Sequence, residues 1–251
     1  MALPWRVVWI TGASTGIGAA VARQLATTGV VVAISARNTD TLNELAATNK
    51  NLRAYPLDVT DEKAVADCFI EIEKDMGPID LIIAGAGTYA PATADDFHIA
   101  AFKRMYEVNY LGVINLLVAV LPVFRNRRAG HISWIASVAG YRGLPKAAAY
   151  GPTKAALINL AESIKPELAR DGVVVSVINP GFVKTPMTAQ NDFPMPFLMN
   201  VEDAARATIE GLRKQKFEVA YPKRFVAILK IARVLPYVWY FWLVKRFVLK
   251  A

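Results

Sequence analysis

A single cysteine, Cys68, stands in this chain of 251 residues, so no disulfide forms within it. That suits a reducing compartment, with the thiol acting as a small buried hydrophobe. There are only two histidines, His98 and His131. Their spacing matches no metal-ligand pattern, so no metal is expected and both are read as structural. The start, MALPWRVVWITG, lacks a basic n-region followed by a long apolar core, so no secretory leader and a cytoplasmic location are expected. Internal repeats, low-complexity segments and a dividing linker are also missing. At this length a single domain over residues 1–222, followed by a tail at 223–251, is the economical reading.

Acids are missing from that tail. Residues 219–251 hold Lys223, Arg224, Lys230, Arg233, Lys245, Arg246 and Lys250 and no aspartate or glutamate. They carry most of the net charge of +8, because residues 1–218 hold 22 basic against 21 acidic residues. A nucleic-acid binder would spread cations over the domain, so nucleic acid is not the expected partner. The longest charge-free apolar run in the tail, Val234 to Val244, is 11 residues, too short to cross a bilayer. Pro236 divides it into two helical pieces. Aromatics beside cations suit an amphipathic helix lying peripherally on an anionic membrane. The same apolar face suits the mouth of an active site or a neighbouring subunit.

Apolar, β-branched runs alternate with helical patterns along the rest of the chain. Strands are predicted at 6–11, 30–35, 52–57, 79–85, 130–137, 173–180 and 217–222. Helices are predicted near 17–28, 40–48, 61–76, 97–123, 147–170 and 201–215. Strands this continuously apolar belong in a sheet covered on both faces, joined by right-handed crossovers. The fold class is therefore α/β: a doubly wound, seven-stranded parallel sheet of Rossmann type with ligands at the carboxyl ends of its strands.

TGASTGIG, from Thr11 to Gly18, sits where the first strand meets the first helix. Gly12 permits a tight turn, while Gly16 and Gly18 let backbone approach a phosphate and helix approach strand. The helix start offers free N–H groups to a pyrophosphate. After the second strand, SARN carries no acid to meet ribose hydroxyls. Arg37 suits a 2′-phosphate, assisted by Ser14, so NADP(H) is preferred and NAD(H) stays open. Asp58 is placed to accept from an adenine amino group, or to cap the next helix.

SVAGYRGLPKAAAYGPTKAALINL, residues 137–160, sets Tyr150 and Lys154 four apart on a predicted helix, facing the same way. A free phenol is a poor base near neutrality, and an adjacent ammonium favours its ionised form. Tyr150 is thereby a candidate acid/base, with Ser137 leaving the fifth strand where it can hydrogen-bond a substrate oxygen.

These segments resemble the short-chain dehydrogenase/reductase family over residues 5 to about 222. TGASTGIG is similar to that family's cofactor turn. Asn109 in VNYLG, Ser137 in SVAG and Tyr150 and Lys154 in YGPTK follow its Asn-Ser-Tyr-Lys tetrad in order and spacing, and NPGFVKT resembles its segment beside the nicotinamide. The resemblance implies carbonyl–alcohol interconversion with NADP(H), Lys154 holding the nicotinamide ribose and Asn109 supporting a water that relays protons. It also implies cofactor contacts from Thr15, Ile17, Val59, Gly85, Pro180, Gly181, Val183 and Thr185, and a homodimer or homotetramer packed through helices near 97–123 and 147–170. One departure stands out: the family's Asn-Asn-Ala-Gly after the fourth strand reads Ala84, Gly85, Ala86, Gly87 here. The missing amides would have braced the sheet and the adenosine pocket.

The segment 185–200 reads as an adaptable apolar lid through Met187, Phe193, Met195, Phe197, Leu198 and Met199. It predicts a hydrophobic, lipid-like carbonyl or alcohol as substrate. A rival from another class is a nucleotide-sensing or scaffold protein that keeps the fold without turnover.

Overall fold

The computed structural model of the chain describes residues 3–249, so Lys250 of the basic tail lies outside the described residues. Seven strands form one parallel sheet: β1 (Val7–Thr11), β2 (Val31–Ser35), β3 (Leu52–Ala54), β4 (Leu81–Ala84), β5 (His131–Ile135), β6 (Val174–Pro180) and β7 (Glu218–Tyr221). Their order is β3-β2-β1-β4-β5-β6-β7, which reverses between β1 and β4. In register, Thr11 faces Ser35 on one side and Ala84 on the other, so the carboxyl ends of the central strands finish level. That reversal opens the crevice where ligands bind in such sheets.

The two-residue period of β1 sorts its side chains into two cores. Val7 and Trp9 join one with α3 (Glu62–Met76), α5 (Gly112–Asn126) and α6 (Tyr150–Arg170). Val8 and Ile10 join the other with α1 (Gly16–Thr27), α2 (Thr39–Ala47) and α7 (Val201–Arg213). Trp9 and Trp134 are fully enclosed. Each satisfies its indole N–H, Trp9 on Ser35 Oγ at 2.9 Å and Trp134 on the Leu157 carbonyl at 3.0 Å.

Three elements depart from the expected pattern. The strand expected at 52–57 is regular only to Ala54, because Pro56 has no N–H to give; Tyr55 and Leu57 on either side still donate to Ile34 and Ala36. The helix expected from 97 to 123 runs from α4 (Ile99–Tyr106) through a π-helical turn, Glu107–Leu111, into α5. This helix is long and apolar enough to cross a membrane by length and composition, yet Leu116, Leu117, Val120 and Phe124 bury it in the domain core. The helix expected from 147 begins at Tyr150, because Ala147 bridges to Ala92 in extended backbone. Tertiary pairing overrides alanine's helix preference there.

The tail follows the predicted break. Helices α8 (Lys223–Val234) and α9 (Tyr237–Leu243) are separated at Leu235–Pro236, and α9 runs on through a π-helical turn, Val244–Val248. Phe225 and Val226 belong to the same core as α3, α5 and α6.

Candidate active site

A cleft of about 580 Å³ lies at the carboxyl ends of the central strands. Its walls bring together every expected cofactor residue: Gly12, Ser14, Thr15, Gly16, Ile17, Gly18, Arg37, Asp58, Val59, Gly85, Tyr150, Lys154, Pro180, Gly181, Val183 and Thr185. Ser137 lines the same cleft. Asn109 stands behind it, fully buried.

The glycine turn is built for close approach. Gly12 has φ +66°, and a Cβ there would fall 2.5 Å from the Gly85 carbonyl; a Cβ on Gly18 would fall 2.5 Å from the Gly12 carbonyl. Only glycine lets the loop after β1 lie against the loop after β4. At the start of α1, Thr15 makes no side-chain cap and the first turn carries no acid. The N–H groups and the positive end of the helix dipole are therefore free for an anion. This cradle, kept open by its glycines, fits the pyrophosphate of a dinucleotide.

Arg37 is exposed at the cleft rim, close enough to Asp58 to lower its pKa. Burial pushes the Asp58 carboxyl up, but hydrogen bonds from Thr60 and the charges of Arg37 and Arg104 leave it below the usual range. Asp58 Oδ1 accepts from Thr60 N at 3.0 Å and Thr60 Oγ1 at 2.8 Å, while Asp61 is the residue that caps α3.

Ser137 follows β5; its Oγ accepts from Ala139 N at 3.1 Å and reaches the Pro180 carbonyl at 3.4 Å. Lys154 Nζ donates to the Ile135 carbonyl at 2.8 Å and lies 5.4 Å from the centre of the Tyr150 ring. The sequence predicts a phenol acidified by this lysine. Desolvation by the surrounding protein works against the charged form of both groups, partly buried Tyr150 and buried Lys154. It pushes Tyr150 up to about 12, against the Ser137 hydrogen bond, with Tyr89 adding to the rise. It brings Lys154 down to about 7. Both neutral forms are favoured relative to water.

Asn109 is carried inward on the π-helical turn, a distortion that recurs at functional sites. Its Oδ1 accepts from Thr88 N at 2.7 Å, and its Nδ2 donates to the Thr88 carbonyl at 3.0 Å and Thr153 Oγ1 at 3.2 Å. Thr11 Oγ1 meets the N–H groups of Gly85 and Ala86 at 3.3 and 3.4 Å. Together Thr11 and Asn109 brace the loop after β4, where the family's asparagines are replaced. A Cβ on Gly87 would lie 3.4 Å from Asn109 Oδ1 and 3.8 Å from Lys154 Nζ, so both polar ends border the same glycine.

Sequence reasoning missed Thr11, Thr88, Thr153, Thr188 and Tyr89. Thr188 Oγ1 donates to the Val183 carbonyl at 2.6 Å, accepts from Thr185 N at 3.1 Å and lies 3.3 Å from the Thr185 hydroxyl. Tyr89 packs edge-on to Tyr150 with ring centres 5.2 Å apart. Only a threonine directly before Lys154 or a tyrosine beyond the fourth strand could have hinted at these. The lid is pinned by a bridge between Val183 and Met199, and Met199 packs into the core while Phe197 and Leu198 are exposed. His131 is buried, its pKa down to about 4, and hydrogen-bonded to Ser176 at 2.8 Å; His98 pairs with Asp96 at the surface. Among the described residues no cluster of metal-ligating side chains occurs.

Comparisons with known proteins agree with this architecture. The short chain dehydrogenase family model matches residues 6–194. An "Uncharacterized oxidoreductase" of Myxococcus xanthus is 35% identical over 238 residues, covering 93% of this chain and 94% of that protein. Another, from Staphylococcus epidermidis, is 35% identical over 82% of this chain and 90% of its own length. A solved short-chain dehydrogenase from Streptomyces avermitilis superposes with a TM-score of 0.83 at 24% identity, covering 91% of this chain and 92% of that one, a likeness of fold. The chain belongs to the short-chain dehydrogenase family, whose members are NAD(P)(H)-dependent dehydrogenases and reductases, and it is an oxidoreductase.

Proposed function

We propose that this enzyme interconverts a carbonyl and an alcohol on a hydrophobic, lipid-like substrate, with NADP(H) as cofactor and Tyr150 as acid/base. The observation that carries the reading is the convergence of Ser137, Tyr150 and Lys154 on the cleft that also holds the glycine turn and Arg37. A nicotinamide dinucleotide there would supply hydride to the carbonyl carbon in reduction and take it back in oxidation. Tyr150 Oη keeps its proton at neutral pH and donates it to the oxygen as the alkoxide forms, while Ser137 Oγ holds that oxygen. Lys154 Nζ, anchored on Ile135, keeps further donors for ribose hydroxyls. Asn109 fixes the loop that carries Thr88 and Tyr89 against the site.

Arg37 and Ser14 would take the 2′-phosphate, the arginine through paired N–H bonds. Met187 lines the cleft from the lid, and behind it Phe182 packs on Phe193 and Phe197 on Phe225, which favours a hydrophobic substrate. Exposed Leu111 and Val118 on the long helix support a homodimer or homotetramer packed there and along α6. A screen of long-chain ketones, aldehydes and secondary alcohols, followed by NADPH and NADH absorbance, tests the reading. Turnover of apolar carbonyls with NADPH is expected; turnover confined to small charged sugars would overturn it.

A further inference from the structure

The tail leaves an apolar face uncovered. Tyr240 is buried beneath α9 and donates to the Gly143 carbonyl. Arg142 caps the end of α8, donating to the carbonyls of Ala232, Arg233 and Leu235, the last at 2.7 Å, and it lies 3.9 Å from the centre of the Tyr240 ring. These contacts fasten the tail to the segment running from Ser137 to Tyr150. The opposite side is bare: Val238 is 79% exposed, Trp239 62%, Phe241 60% and Trp242 55%. Ile228, Ile231, Val234, Phe247 and Leu249 are exposed too, so both helical pieces present apolar side chains to solvent. At the other end Phe225 stacks on Phe197 at 6.0 Å, and exposed Phe197 and Leu198 carry the apolar surface onto the lid.

Charge selects the occupant. From 223 to 249 there are six lysines and arginines and no acid, and among the described residues only Lys230 of the six is in an ion pair, with Glu218. Two copies meeting about a twofold axis would bring this cationic tail against itself. Anionic headgroups complement it, with tryptophans at the interface and aliphatic side chains below. Neither piece can span a bilayer: α8, with 12 residues, is about 18 Å long.

We infer that residues 223–249 form a docking surface that lays the enzyme flat on an anionic lipid bilayer with the lid of the cleft at its edge. The inference stands apart from the proposed reaction, since it uses neither the hydride nor the proton.

Co-sedimentation of the full chain with phosphatidylcholine vesicles, with and without an equal part of phosphatidylserine, tests it. Binding to the phosphatidylserine vesicles is expected to be at least about tenfold tighter than to phosphatidylcholine alone, and to weaken in high salt. Surface substitutions are preferable to truncation at 222, which would strip Phe225 and Val226 from the core. The W239S/W242S and K245E/R246E variants, checked for folding by circular dichroism, are each expected to lose about tenfold or more in vesicle affinity. Tyr150→Phe is expected to bind vesicles as the parent does, so loss of catalysis and loss of docking are separable. The inference is overturned if the parent sediments with neither vesicle, or if both tail variants bind like the parent. It is equally overturned if the parent is a dimer that W239S/W242S converts to monomer while neither binds vesicles.

Discussion

Replacing Lys154 by methionine keeps an unbranched side chain, one atom shorter, and removes the ammonium. Burial brings this lysine from 10.5 down to about 7. Between those values the unfolded chain holds a proton that the folded chain has shed, so this group makes stability climb with pH across that window. Below pH 7 its full cost is present, ~5 kcal/mol at ~1.36 kcal/mol for each tenfold change in proton affinity. Methionine removes that cost but leaves the Ile135 carbonyl without its 2.8 Å donor, a loss of about 1–3 kcal/mol. At about pH 6 the variant is therefore expected to be more stable by ~2–4 kcal/mol, raising Tm by roughly 5–10 °C, while turnover is lost. At about pH 10 the cost of the lysine has fallen to ~1 kcal/mol, the lost hydrogen bond dominates, and the variant should melt no higher than the parent. Calorimetry of both proteins at the two pH values decides it. A variant that melts below the parent at pH 6, or a gap that does not change with pH, would refute the reasoning that burial governs this lysine.

Arg37→Glu sets a carboxylate where a 2′-phosphate is expected, so kcat/KM with NADPH should fall about 30- to 100-fold and preference should pass to NADH; a parent that prefers NADH by tenfold, or an unmoved ratio, speaks against the role. Gly12→Ala forces φ +66° on an L-residue and sets a methyl against the Gly85 carbonyl, so dinucleotide affinity by fluorescence titration should weaken by at least about tenfold. Unchanged affinity would show that the two loops can part at no cost. Asn109→Ala strips Thr88 of both backbone partners, at about 2–4 kcal/mol, and should speed hydrogen exchange at the Thr88 amide first. Protection there equal to the parent's would mean that Asn109 braces nothing.

Local signals carried the fold a long way. Continuous apolar runs named all seven strands, and the strand–glycine–helix junction named the cleft, because both depend on neighbours in the chain. Contacts between distant segments were not legible. Thr11 lies 74 residues from Gly85, and nothing in either segment announces that its hydroxyl meets the amide there. The π-helical turn around Asn109 and the start of α6 at Tyr150 answer to tertiary partners, Thr88 in one case and Ala92 in the other. The proton balance between Tyr150 and Lys154 is not legible for the same reason: spacing gives their distance, whereas desolvation, a property of the whole fold, also weighs on both affinities. The tail was read correctly as two pieces split by Pro236, but its clamp on Arg142 spans some 90 residues and appears only in three dimensions.

Tyr150→Phe removes one oxygen and keeps the ring that packs edge-on to Tyr89. Single-turnover kinetics beside NADPH titration of this variant separates proton transfer from binding. The account predicts that kcat falls by about 10²–10⁴-fold while the cofactor dissociation constant stays within about twofold. A kcat within tenfold of the parent would contradict it.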